Sequence, residues 1–400
     1  MSIKKLVILG LGARGNIYAA FAKKYPEKFT LTAIIENDCK KLDFAKREYP
    51  GARLFSNYHD FLAEKIEADI VAVATQDEDH KEHAIAMMQA GYHLLLEKPI
   101  ANNQADCEAI YHASKKYDRK VVVCHVLRYT PFYSTVKRII DSGKLGEVIR
   151  KRGILPSGAQ LWRNKAQSSP MILAKCCHDM DILRYLMGED CISVNSYGEL
   201  SYFNKQHAPQ GATQYCSDCP HKDCIYKAQT LYLSESDFFA SYFTTKEHTK
   251  ENVLTDLKGT QYDKCVYQTD NDVVDHQVTI MRFKNGKTAC HTMSAFSQKC
   301  YRDLKVHGTK AELVGVVENN EIEIRYFGGD VEKIRIDISN ASVGGHMGGD
   351  HFMMESLYKA LNGEKSEGIT YLDVSIESHL MAFAAENSRL SDGSTVEIVK

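Results

Sequence analysis

Tryptophan occurs once and proline eight times in 400 residues. The chain carries no Pro-rich or other low-complexity tract and no internal repeat, which excludes collagenous, solenoid and linker-dominated architectures. It also lacks an excess of either charge. Lys and Arg number 50 against 52 Asp and Glu, a net charge of −2, and the basic residues are scattered without a dense block. That balance removes the electrostatic footprint of a protein that binds nucleic acid or an anionic membrane surface. No run reaches the roughly 20 apolar residues of a membrane-spanning helix. The start of the chain, Met1 to Gly10, is lysine-bearing and then apolar, but Gly12 and Arg14 interrupt it at once, so it reads as a strand and not as a signal peptide. A cytoplasmic location is expected. There the twelve cysteines should be free, buried or metal-bound thiols. With 44% hydrophobic and 26% charged residues, the chain reads as soluble and globular, long enough for two or three domains that fold without staples.

Residues 1–128 alternate short apolar strands with helical stretches. Strands are predicted at 3–9, 29–35, 69–74, 92–96 and 121–124, and helices at 16–24, 38–48, 80–90 and 105–117. Such alternation demands parallel pairing with right-handed crossovers, a doubly wound α/β sheet. Residues 129–400 have a different texture. Helices are expected at 133–142 and 170–187, the latter stopped by Gly188. Strands then follow at 273–283, 287–294, 303–307, 311–316, 321–326 and 333–338, with hairpin turns at 284–287 and 308–310. The second domain therefore reads as an α/β domain with a large, mainly antiparallel open sheet. Two helices, 350–361 and 372–390, close the chain and could pack back on the first domain. The polar stretch 236–264 reads as a long loop or lid.

Gly10-Leu-Gly12-Ala13-Arg14-Gly15-Asn16 follows the first strand and opens a helix. Glycines here allow a tight turn and let the backbone approach a pyrophosphate at the helix N-terminus. Glu36 ends the second strand about twenty residues on, where a carboxylate bonds the ribose hydroxyls of NAD. A 2′-phosphate would meet a like charge, so NAD is expected over NADP, with Lys40 and Lys41 close enough to soften the preference. The alternative is a glycine turn without a ligand. Further along, Thr75 and His80 bracket a polar loop at the end of a buried strand, and Glu97-Lys98-Pro99 ends the next strand on the same edge. Ligands of open parallel sheets bind at that edge.

These pieces, together with Arg128-Tyr129, Trp162-Arg163 and His178-Asp-Met-Asp181, occur in the order seen in the glucose–fructose oxidoreductase / inositol dehydrogenase (Gfo/Idh/MocA) family, which the chain resembles over nearly its whole length. The resemblance implies a Rossmann domain, an open-sheet second domain for substrate binding and oligomerisation, tightly held NAD(P), and homodimers or homotetramers built through the outer sheet face. It places Thr75, His80, Glu97, Lys98, Arg128, Trp162 and Arg163 around the cofactor. It assigns acid/base work to Lys98 and His178, since oxidation of a carbinol needs a base for the hydroxyl proton as hydride leaves carbon. A lysine can be that base when burial and nearby cations lower its pKa. If the helix is continuous, Asp181 lies one turn from His178 and could orient it. One position departs from the family pattern: the aspartate four residues before the histidine is Ala174, followed by Lys175. Lys175 is expected to enter the pocket, where an anionic substrate group would suit it; a solvated lysine is the alternative.

Weaker signals remain. Cys216, Cys219 and Cys224 have the spacing C-x₂-C-x₄-C, half of a zinc motif, with Cys265 or His221 as a distant fourth ligand; packed or exposed thiols are the competing reading. Cys176 and Cys177 beside His178 raise a Cys–His nucleophile, against which stands the frequency of cysteine as a small core residue. Residues 270–277 could line the cleft or form a charged turn. In the loop 344–350, Asp350 reads as a helix N-cap and His346 as a possible substrate contact. Three functions follow: an NAD-dependent oxidoreductase acting on a secondary alcohol of a sugar, cyclitol or glycoside; an NAD-dependent glycoside hydrolase working by transient oxidation and elimination; and a non-enzymatic NAD or sugar sensor.

Overall fold

The computed structural model describes residues 1–156, 163–165, 169–234, 240, 243–244, 246–297, 301–366 and 368–399. Trp162 and part of the predicted lid (236–239, 241–242 and 245) lie outside them.

Strands β1 (Lys4–Leu9), β2 (Phe29–Ile35), β3 (Arg53–Phe55), β4 (Ile70–Val73), β5 (His93–Leu96) and β6 (Val121–Val123) form one sheet in the order β3-β2-β1-β4-β5-β6. Every pairing is parallel. The strands are apolar on both faces because helices cover both. In β1, Leu6 and Ile8 enter one core while Val7 and Leu9 enter the other. Strand order reverses between β1 and β4, the switch point at which such sheets bind ligands beyond their C-terminal ends. Gly10 and Ala74 are the first residues past that edge.

The second sheet holds nine strands: β7 (Val148–Pro156), β8 (Cys191–Glu199), β9 (His276–Phe283), β10 (Thr288–Ser294), β11 (Asp303–Gly308), β12 (Ala311–Val316), β13 (Glu321–Tyr326), β14 (Val331–Arg335) and β15 (Val396–Glu397). Their order is β14-β13-β12-β11-β7-β10-β9-β8-β15. Only the β7–β10 contact is parallel. Alternation decides the faces: Gln277, Thr279, Met281 and Phe283 of β9 are buried, while Val278 and Ile280 stand on the outer face with Tyr197. Helices Pro131–Asp141, Cys177–Met187 and Leu372–Leu390 share the inner core. Among the described residues no helix is long and apolar enough to cross a membrane.

The last helix also returns to the first sheet. Val123 N donates to Thr370 O at 2.8 Å, and Ile100 N donates to His379 Nε2 at 2.8 Å. The C-terminal segment thus braces the loop that carries Lys98.

Some expectations are corrected. The helix predicted over 170–187 is two, Met171–Ala174 and Cys177–Met187, broken at Lys175 and Cys176. The strand predicted from 273 begins at His276, because Asp275 turns back to accept hydrogen bonds from the amides of Tyr202 and Phe203. The described part of the predicted lid contains a helix, Lys250–Leu257, started by the Thr249 side chain. Strands β3, β7, β8 and β15 were not foreseen.

Candidate active site

The glycine turn is built for close approach. Gly10 has φ +92°, and a Cβ there would lie 2.6 Å from Ala74 O. A Cβ on Gly15 would lie 1.9 Å from Gly10 O, so only glycine lets the helix start against the strand. Gly12 differs. It is the N-cap of the helix Ala13–Lys24 with no side-chain cap, and a Cβ there would meet nothing within 4 Å. The open side faces the position a pyrophosphate takes at a helix N-terminus. Glu36 Oε2 accepts Leu11 N at 2.7 Å and Oε1 accepts Asp38 N at 3.0 Å, with Lys41 Nζ 3.8 Å from Oε2. The carboxylate that would take the ribose hydroxyls is thus fixed against the turn. These residues fit a dinucleotide. Asn16 lies behind them, its Oδ1 accepting from Tyr49 OH.

At the ends of β4 and β5 the second part of the site assembles. Lys98 Nζ donates to Ala174 O at 3.2 Å, bringing the first sheet's edge to the break between the two short helices. His178, one turn on, is 6% exposed. Burial holds its pKa well below normal, and the nearby charges of Lys98, His125, His346 and Arg302 push in the same direction. The neutral imidazole is therefore favoured, with Nδ1 buried and unbonded within the chain. Its ring centre lies 6.1 Å from His346 and 5.8 Å from His125, and His125 lies 5.6 Å from His379. Lys175 occupies the helix break. Near it, burial holds the Asp77 carboxyl above the usual carboxylate range, partly offset by Lys98 and Lys175.

Asp181 does not orient His178. Both its oxygens accept from Arg128, Nε and Nη2 each at 2.6 Å, and the pair is sealed inside the protein. Asp350 is not an N-cap either. Gly348 holds that position, and Asp350 sits in the first helical turn. Its carboxylate accepts Gly345 N at 2.8 Å and bonds His346 Nδ1 at 3.0 Å and Arg14 Nη2 at 2.7 Å. Arg14 Nε reaches Glu97 Oε1 at 2.6 Å, Glu97 also accepts from Tyr18 OH, and its other oxygen accepts Lys98 N. A chain of polar contacts, Glu97–Arg14–Asp350–His346, therefore joins the glycine turn, the lysine loop and the loop 344–350. That loop is strained and packed: His346 and Met347 have φ of +51° and +48°, and a Cβ on Gly344 would strike Asp350. His346 is consequently held in the cleft.

The remaining predicted residues are placed as follows. His80 is buried, its Nδ1 bonded to Pro99 O at 2.7 Å, and Thr75 Oγ1 bonds His83 Nδ1 at 3.1 Å. Arg163 is paired with Asp270 at 2.8 Å and its carbonyl accepts from Asp272 N at 2.9 Å, which ties the exposed turn 270–272 to it. Cys176 and Cys177 are fully buried, and burial lifts the Cys177 thiol to about 12, against a nucleophilic role. Asp77, His125, His379 and Asp350 were missed as site residues. Asp77 sat in plain view within the polar loop after β4.

Comparison with known proteins fits this geometry. Residues 4–125 match "Oxidoreductase family, NAD-binding Rossmann fold", and residues 137–389 match "Oxidoreductase family, C-terminal alpha/beta domain". The chain belongs to the Gfo/Idh/MocA oxidoreductase family. The protein YteT of Bacillus subtilis (strain 168) is 24% identical over 393 residues, covering 89% of each chain. Inositol 2-dehydrogenase 2 of Saccharopolyspora erythraea is 28% identical over 191 residues, covering 48% of this chain and 56% of that protein. In structure, levoglucosan dehydrogenase in complex with NADH and levoglucosan superposes with a TM-score of 0.73 at 18% identity, over 99% of this chain and 100% of the other. The chain is thus an oxidoreductase with an NAD-binding Rossmann domain.

Proposed function

We propose that this family member oxidises or reduces a secondary alcohol on a sugar, cyclitol or glycoside, with Lys98 as the group that takes or returns the hydroxyl proton. The observation that supports this is the hydrogen bond from Lys98 Nζ, on the edge of the first sheet, to Ala174 O, four residues before His178 in the second domain. Bound NAD supplies the hydride acceptor. Glu36 and the turn of Gly10, Gly12 and Gly15 would hold it, with Ala13, Arg14 and Asn16 forming the helix start. Lys98 meets the substrate hydroxyl from the sheet edge. His178, neutral and unbonded at Nδ1, offers a hydrogen bond to the same or the adjacent hydroxyl. His346, fixed by Asp350, bounds the far side. The names of the relatives, an inositol and a levoglucosan dehydrogenase, support this substrate class.

Incubation with NAD⁺ and a panel of sugars, cyclitols and aryl glycosides tests the reading. The expected result is NADH formed in proportion to one class of polyol. Aglycone release without net NADH would replace it with redox-assisted glycoside cleavage, and neither signal would leave a sensor.

We infer further that Lys175, next to the Ala174 that stands where the family carries an aspartate, enters the pocket, so the preferred substrate should carry an anionic group. Lys175→Met then raises KM for that substrate by about 10- to 100-fold, the value of a charged hydrogen bond. Unchanged KM and kcat would end this assignment. The reading also includes self-assembly through the outer face of the second sheet, supported by exposed Tyr197, Val278 and Ile280; light scattering in solution checks it.

A further inference from the structure

The segment between β8 and β9, residues 200–275, is poor in the means of holding itself together. Among its described residues it contains short helices and one isolated bridge, Tyr215 with Lys264, and no strand ladder. Its apolar residues form two small clusters, one around Tyr232, Leu257 and Tyr262 and one around Phe203, Cys265 and Tyr267. Cores of that size leave little surplus over the entropy of ordering the chain, and small units of this kind are commonly fastened by a metal or by disulfides. The described cysteines are all free thiols.

The two clusters meet at a cavity. It is lined by Cys216, Cys219, Cys224 and Cys265, with His221 beside them, and has room for about one water-sized sphere. The fold brings these groups together in two steps. A tight turn in which Cys219 N donates to Cys216 O forms the C-x₂-C knuckle. The Tyr215–Lys264 bridge, with Cys265 N donating to Gln214 O at 2.9 Å, then sets Cys265 next to Cys216. The sequence alone offers half a zinc motif; the topology supplies the distant fourth sulfur.

We propose that Cys216, Cys219, Cys224 and Cys265 bind one structural zinc ion that pins the segment 200–275. Four thiolates are the donor set of closed structural zinc sites. Cys265 is taken as the fourth ligand over His221 because the backbone pairing sets it next to Cys216. The cavity holds a single ion and not an iron–sulfur cluster. Among the described residues, the ligand atoms that come within 4.8 Å of one another in a group of three are those of Cys176, Asp179 and His291. The four thiols stand wider than this, so zinc draws them inward as it binds. Each sulfur gives its proton to solvent in doing so, and zinc binding adds its free energy to folding. Arg302 Nε, 3.0 Å from Asp179, supplies the cation for the closer trio and makes a second one unfavourable there.

The test uses the full chain, purified from zinc-supplemented medium and desalted. Elemental analysis is expected to give about one zinc per chain for the wild type, for His221→Ala and for Cys39→Ser, and less than about a tenth for Cys216→Ser and Cys265→Ser. A measurement on the wild type alone guards against variants that fail to fold. Cys219 and Cys224, the two partly exposed members, are expected to resist iodoacetamide until a zinc chelator is added. A wild type without zinc, equal alkylation with and without chelator, or iron with a visible absorption band in place of zinc would each overturn the assignment. None of these readouts depends on the proposed reaction.

Discussion

Lys98→Met lowers kcat by about 10²–10⁴-fold, the usual worth of a positioned acid/base group. The NADH dissociation constant, read from the fluorescence of the bound dinucleotide, changes by less than about tenfold. The split follows from the proposed roles. Lys98 Nζ donates to Ala174 O, whereas the residues proposed to cradle the dinucleotide are Gly10, Gly12, Gly15 and Glu36. Lys98→Arg distinguishes proton transfer from a fixed positive charge. A guanidinium keeps the charge but does not give up its proton in a protein. The arginine variant is therefore expected to be nearly as slow as the methionine variant. Recovery to within a few fold of wild type would mean that Lys98 only positions substrate, and the search for the base would move to His178.

Much of the fold was legible because its signals are local. The β1 glycine turn, Glu36 at the end of β2 and the alternating strands β12 and β13 are written in consecutive residues, and β12 and β13 fall where periodicity put them. Strands β7 and β8 were missed because β7 reads as a mixed basic and apolar run and β8 carries Asn195, Ser196 and Gly198 within it; pairing on both sides overrides weak propensity. The break at Lys175 and Cys176 was illegible for a related reason. No proline or glycine marks it, and buried apolar residues lie on both sides of it. At that break Ala174 O accepts from Lys98. Asp181 shows the limit of spacing arguments. Its position one helical turn from His178 was read correctly, but Arg128, far away in sequence, takes both its oxygens.

Arg14→Met tests the charge chain that no spacing could reveal. The guanidinium lies between Glu97 and Asp350, whose side chains are 5% and 0% exposed. Removing it leaves two buried carboxylates without their cation, and loss of one partner from a buried ion pair costs about 3–5 kcal/mol. Urea unfolding at neutral pH is expected to show a loss of that order. The pH dependence identifies the cause. In the wild type, burial alone would raise the Asp350 carboxyl, but Arg14 and His346 overcome it and hold the pKa far below normal; Glu97 is lowered in the same way by Arg14, Lys98 and Tyr18. Groups lowered on folding bind fewer protons in the native state than in the unfolded one, so their contribution is complete above about pH 5 and is lost as pH falls through the unfolded and then the folded values. In Arg14→Met the sign reverses. Burial then dominates, the native state binds protons more readily than the unfolded one, and acidification from neutrality to about pH 5 narrows the gap to wild type. A variant whose deficit stays constant across that range would place the loss in packing against Tyr18 and not in the chain of charges. A variant as stable as wild type would mean that solvent, and not Arg14, balances the two carboxylates.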